Sequence, residues 1–280
     1  MPVSLQFIGA VLAAVCSALL AGDGILTRYE FDRPPADRWE LPKELAEISG
    51  LAVDSAGRLF AHGDERAEIF ELDRRDHRII GSFTFGNPAV LGDFEGIAVS
   101  RNRIYLVTSD GVIYAGRIGA SGEHVDFVTY ATGLGRLCEI EGLAYDPADP
   151  SLLLACKEAR SGQLQHRLAI YRWSIDHREL FPRPAVLVGY GPIAKAIGER
   201  GFHPSDLTRD TETGHLLLVA SREHAIAEIT PSGEVVRIAK LRSSRHRQAE
   251  GIAIDRDGSL LIADEGGGKR GTLTTYARVE

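Results

Sequence analysis

Short apolar runs separated by turn residues recur along this chain, organised around Asp93-Phe94-Glu95-Gly96-Ile97-Ala98-Val99. Close variants stand at Glu47 to Val53, Glu139 to Tyr145, Pro204 to Thr208 and Gln248 to Ile254. With Gly50, Gly96, Gly142, Asp206 and Gly251 as equivalent positions, the copies lie 46, 46, 64 and 45 residues apart, a spacing typical of propeller blades. The pattern predicts an all-β fold: a five-bladed β-propeller of four-stranded antiparallel blades, with repeats starting near residues 47, 93, 139, 203 and 248.

Each repeat is expected to run through the same elements. An apolar strand after the glycine (Leu51 to Val53, Ile97 to Val99, Leu143 to Tyr145, Ile252 to Ile254) leads to a turn such as Asp54-Ser55-Ala56-Gly57 or Asp255-Arg256-Asp257-Gly258, with the composition of a hairpin. A second strand follows that is apolar on both faces (Leu152 to Ala155, Leu216 to Val219, Leu260 to Ala263), as a sheet sandwiched between neighbouring sheets requires. Third strands alternate (Ile69 to Leu72, Ile170 to Trp173), and fourth strands are more polar (Arg78 to Phe83, His124 to Thr129, Ala185 to Val188, Glu234 to Ile238). Burial therefore falls from the axis to the periphery. The last repeat reaches only a third strand, Leu273 to Tyr276, whereas Arg38 to Leu41 alternates like a strand and has no blade of its own. Pairing the two closes the ring and covers edges that a linear array would expose. The longer gap between Gly142 and Asp206 accommodates one blade with insertions at Arg160 to Arg167 and Pro192 to Gly201.

Before the propeller, Val3 to Gly22 is almost entirely apolar, and the first charged residue is Asp23. A run of that length fits a signal peptide or a membrane anchor, so residues 1–22 are assigned that role. The chain is expected to be exported, to the bacterial periplasm or as an inner-membrane-anchored protein facing it. Residues 23–35, polar and with Pro34-Pro35, read as a tether to a propeller over residues 36–280. The composition, 44% hydrophobic and 25% charged, is that of a globular protein. Its net charge of −7 argues against a nucleic-acid partner and is compatible with cations. Cys138 and Cys156 are expected to be free: a uniform hairpin register sets Glu141 opposite Cys156 and leaves Cys138 roughly 10 Å away.

Most enzyme signatures are missing. Gly266 to Thr272 lacks the order of a phosphate loop, and the loop opening at Asp255 has Gly266 where a calcium loop needs its glutamate. What remains is the acidic residue before the repeat glycine. Glu95, Glu141 and Glu250 occupy one position in three blades, with Ser49 and Ser205 in the other two. Symmetry brings these carboxylates to one mouth of the central channel, where unpaired they would repel one another. A hard cation such as calcium would relieve that repulsion; the alternative is a purely architectural Glu-Gly entry to each blade. Glu47, Asp93, Glu139, Asp206, Asp264 and Glu265 form a second tier of candidate metal ligands. Arg136, Arg245, Arg247 and Lys157 are candidate anion or substrate contacts, and His203 and His246 are conceivable catalytic bases.

The chain resembles the SdiA-regulated family of bacterial proteins. The resemblance spans about Trp39 to Tyr276 and rests on Glu-Ile-Ser-Gly-Leu-Ala at 47–52, Phe-Glu-Gly-Ile-Ala at 94–98, Glu-Gly-Leu-Ala-Tyr at 141–145 with Lys157-Glu158 after it, Leu-Leu-Val-Ala-Ser-Arg-Glu at 217–223, and Gln-Ala-Glu-Gly-Ile-Ala at 248–253. It implies a five-bladed propeller behind an N-terminal membrane segment, with a calcium site. Two functions follow as expectations: a monomeric, non-catalytic calcium-binding module that recognises a protein or small-molecule ligand at its mouth, or a calcium-dependent phosphoesterase or lactonase-like hydrolase at the same place.

Overall fold

The computed structural model describes residues 24–279, and the predicted export segment at 1–22 lies outside them. Among the described residues no helix is long and apolar enough to cross a membrane. Five antiparallel sheets follow one another in the chain. Their innermost strands are Ile48–Val53, Phe94–Ser100, Cys138–Asp146, Asp206–Arg209 and Ala249–Ile254. Each touches the innermost strand of the blade before and after it, and the last touches the first, so the five form a closed ring.

The hydrophobic core is accordingly five layers between adjacent blades. Leu51 and Phe70 of blade 1 pack on Leu261 and Leu273 of blade 5, and Phe60 and Phe83 of blade 1 pack on Ile97 and Leu106 of blade 2. Second strands are buried throughout, as Leu216–Ala220 and Leu260–Asp264 show. A sheet with neighbours on both faces needs this continuous apolar run. Fourth strands such as Val235–Lys240 are only partly buried.

Blade 5 is completed from the other end of the chain. Asp37–Glu40 pairs antiparallel with Thr272–Tyr276, setting Trp39 opposite Leu273. The expected insertions in blade 3 are a 3-10 turn at Gly162–Leu164 and the helix Gly191–Ile197.

Three expectations are corrected. His124–Val125 is not part of blade 2's fourth strand, which is Phe127–Ala131; it lies parallel to Thr84 and Phe85 and extends blade 1. Residues 24–31 do not behave as a tether. Ile25, Leu26, Tyr29 and Phe31 are buried against blades 4 and 5 beside Val219, Ile226 and Ile252. The Ile25 and Leu26 N–H groups donate to Glu228 at 2.9 and 3.0 Å, and Arg28 pairs with Glu212 at 2.8 Å. Polar composition hid four apolar anchors at irregular spacing.

Cys138 and Cys156 are not free but disulfide-bonded, with Cα atoms 5.6 Å apart. The uniform register fails because the hairpin bulges between Ile140 and Leu143, which puts Ile140 rather than Glu141 opposite Cys156. Cys138, two residues from Ile140, is thereby a diagonal same-face neighbour of Cys156.

Candidate functional site

The repeat glycines mark a layer where neighbouring innermost strands crowd together, backbone to backbone at Gly96 and Gly142. A Cβ on Gly96 would come within 2.7 Å of the Leu143 nitrogen, and one on Gly142, whose φ is +104°, within 2.9 Å of the Asp206 Cα. Any larger residue would force the ring apart. Asp206, the exception in blade 4, is fully buried and binds the ring together: its carboxylate accepts N–H donors from Leu207 and Ile252, each at 2.8 Å. Those bonds explain its place in the core, and it is not among the residues lining the mouth.

On the entry side of this layer, Glu95, Glu141 and Glu250 converge with Ser49 on a hollow of about 160 Å³ that Glu47, Asp64, Glu265 and Lys157 also line. The convergence anticipated from symmetry is therefore present. The new member is Lys157, whose ammonium pairs with Glu141. It was a candidate anion contact in the sequence; instead it faces carboxylates, and the neighbouring Glu158 pairs with Arg222 at 2.7 Å. Ser49 donates to Glu95 at 3.1 Å.

Burial dominates the protonation of this cluster. It pushes the Glu95 carboxyl up to about 8, with help from Asp93 and against the Ser49 bond. It pushes Glu141 up to about 9, against the pull of Lys157, and raises Glu250 as well. Burial also works against the Lys157 charge, but Glu141, Glu250 and Glu95 prevail and hold its pKa above the ordinary lysine value. The four groups titrate together. One ammonium balances one carboxylate, so at neutral pH the cluster holds more protons than the same side chains would in water.

The second-tier residues divide. Glu47 and Glu265 line the hollow, and Glu265 accepts from Gln248 at 2.9 Å. Asp93 is bonded to Ser109, and Glu139 lies 3.4 Å from Arg160. Asp264 accepts from His246 at 2.8 Å, and the other ring nitrogen of His246 is 2.7 Å from the Tyr276 hydroxyl. His246 is wholly buried in that chain of bonds, a packing role rather than a base at the mouth. His203 is committed to Glu223 at 2.6 Å; burial works against the Glu223 charge, but these bonds hold its pKa below the usual range. Arg245 donates to the Phe31 carbonyl and the Tyr276 hydroxyl, both at 3.1 Å, and Arg247 lines a separate hollow with Arg38 and Arg270. Arg136 lies in a 3-10 turn before blade 3. None of these three arginines lines the carboxylate hollow.

The donors at the mouth are hard oxygens, which suit calcium with its six to eight oxygen ligands. In position, no group of three or more His, Cys, Asp or Glu side chains among the described residues is placed to hold a metal ion. The Lys157 ammonium stands there instead. The set fits a hard cation in chemistry but, as placed, not in position.

Among solved structures, the chain is similar to glutaminyl cyclase of Myxococcus xanthus, with 15% identity, 88% of this chain and 97% of that one covered, and a TM-score of 0.58. It is also similar to the PQQ-bound aldose sugar dehydrogenase of Streptomyces coelicolor, with 17% identity, 87% and 99% covered, and a TM-score of 0.54. At such identities the likeness is one of fold. No curated protein matches the sequence. The model of the SdiA-regulated family matches residues 36–267, and the chain belongs to that family.

Proposed function

We propose that this protein is a non-catalytic binding module of the cell envelope whose carboxylate mouth accepts a cation, with calcium the ion its oxygen donors suit best. The observation that carries this reading is the convergence of Glu95, Glu141 and Glu250 on one small hollow, with Lys157 the only basic side chain lining it among the described residues. Six acidic side chains line the hollow against one ammonium, which leaves it short of positive charge. A divalent cation would supply it, displacing protons from the cluster as it enters. Export is supported by the apolar run at 3–22 and by the Cys138–Cys156 disulfide, a bond that persists in oxidising compartments. The hydrolase reading finds less support: neither His203 nor His246 is among the residues lining the hollow.

Calcium titration calorimetry on the wild type and on Lys157→Met tests the proposal. Calcium is expected to bind with proton release, more tightly in Lys157→Met, and to lose its site in a Glu95→Gln/Glu141→Gln double variant. If neither wild type nor Lys157→Met takes up calcium at millimolar concentration, the carboxylate mouth is not a cation site.

A further inference from the structure

The glycine layer divides the axis into two cups of opposite character. Beyond it, where the innermost strands run out into their hairpin turns, all five blades line a second cavity of about 380 Å³, within the size range of small-molecule pockets. Its inner wall is apolar, with Leu51, Ile97, Leu143 and Leu207 each contributed by a different blade. At its depth the innermost strands pack closely side by side, at Gly96 against Leu143 and at Gly142 against Asp206.

Its outer edge is cationic. Arg101, Arg209 and Arg256 line it, together with Asp54 and Asp255. The carboxylates that line this edge are already held by guanidinium groups. Asp54 pairs with Arg58 at 2.7 Å, Asp255 with Arg74, and Asp146, just behind, with both Arg172 and Arg209 at 3.3 and 3.1 Å. Arg101 and Arg256 form no ion pair among the described residues; one Arg256 nitrogen donates only to the Ala56 carbonyl, at 3.3 Å.

The geometry points to a second ligand site in this cup, for a small amphipathic anion: an aliphatic chain seated against the strand walls, with a carboxylate at the free guanidinium groups of Arg101 and Arg256. A chain without a charge leaves the arginines unused, and a carboxylate without a chain leaves the apolar wall in water. Both parts are needed for affinity, because burial of the chain supplies the attraction and the bidentate guanidinium contact supplies orientation. The site is independent of the proposed cation mouth, which lies on the other side of the glycine layer and repels anions.

Octanoate is the probe, with acetate as the head without the chain. In wild-type protein labelled at alanine methyl groups, octanoate is expected to shift Ala52, Ala98, Ala144 and Ala253, which line the cup, with submillimolar affinity, while acetate at the same concentration does not. In Arg101→Glu/Arg256→Glu, which changes exposed turn positions, affinity is expected to fall at least tenfold. Octanoate shifts confined to alanines elsewhere, or an affinity unchanged by the double reversal, would overturn the proposal.

Discussion

Glu95 and Glu141 are carboxyl groups placed where the protonated form is favoured, pushed up to about 8 and about 9 by burial. A carboxyl whose folded pKa lies above its unfolded one takes up a proton on folding, so its stabilising effect is complete below about pH 4.5 and is lost as pH rises through the folded value. Resistance to urea is therefore expected to decline between about pH 5 and pH 9. In Glu141→Gln this decline is expected to be visibly shallower, measured as the midpoint of urea unfolding across that range. A midpoint in the wild type that stays flat over the same interval would show that Lys157 keeps the cluster fully ionised. Asp206 carries the opposite lesson. The residue type announced a ligand, yet its carboxylate is spent on the backbone N–H groups of Leu207 and Ile252.

Among elements, the innermost hairpin of blade 3 shows how a single bulge changes chemistry. Alternation located both strands correctly, but a shift of one residue near Gly142 brought Cys138 beside Cys156. The bond spans 18 residues of sequence, and closing such a loop stabilises a domain by about 3 kcal/mol through the unfolded chain. Reduction, or Cys138→Ala/Cys156→Ala, is expected to lower the thermal midpoint accordingly, and an unchanged midpoint would make the bond dispensable. The segment 24–31 is the second case. Its anchors Ile25, Leu26, Tyr29 and Phe31 follow neither a helical nor a strand period, so periodicity gave no signal, and only the groove between blades 4 and 5 made them core.

In the whole molecule, stability depends on closing the ring. The pairing of Asp37–Glu40 with Thr272–Tyr276 joins the two ends of the described chain and covers what would otherwise be an open sheet edge. Removing residues 1–41 is expected to yield oligomers by light scattering, because it exposes both that edge and the apolar groove between blades 4 and 5. A monomer of wild-type stability would show that blade 5 manages with three strands.

Sequence alone determined the blade count, the strand order from axis to periphery and the meeting of Glu95, Glu141 and Glu250, because a repeat carries its own geometry: equivalent positions in a ring converge wherever the ring closes. Blades also demand apolar second strands, and those are plain in Leu216 to Val219 and Leu260 to Ala263. Tertiary structure decided what breaks the repeat. Lys157 occurs in one blade only and reaches the mouth from a second strand; Asp206, the disulfide and the 24–31 strap likewise have no copies to reinforce them. Their roles depend on bulges, side-chain reach and neighbours distant in sequence, and it is the folded ring that turns a tier of acids into a partly protonated, lysine-balanced mouth on one side and an arginine-edged apolar cup on the other.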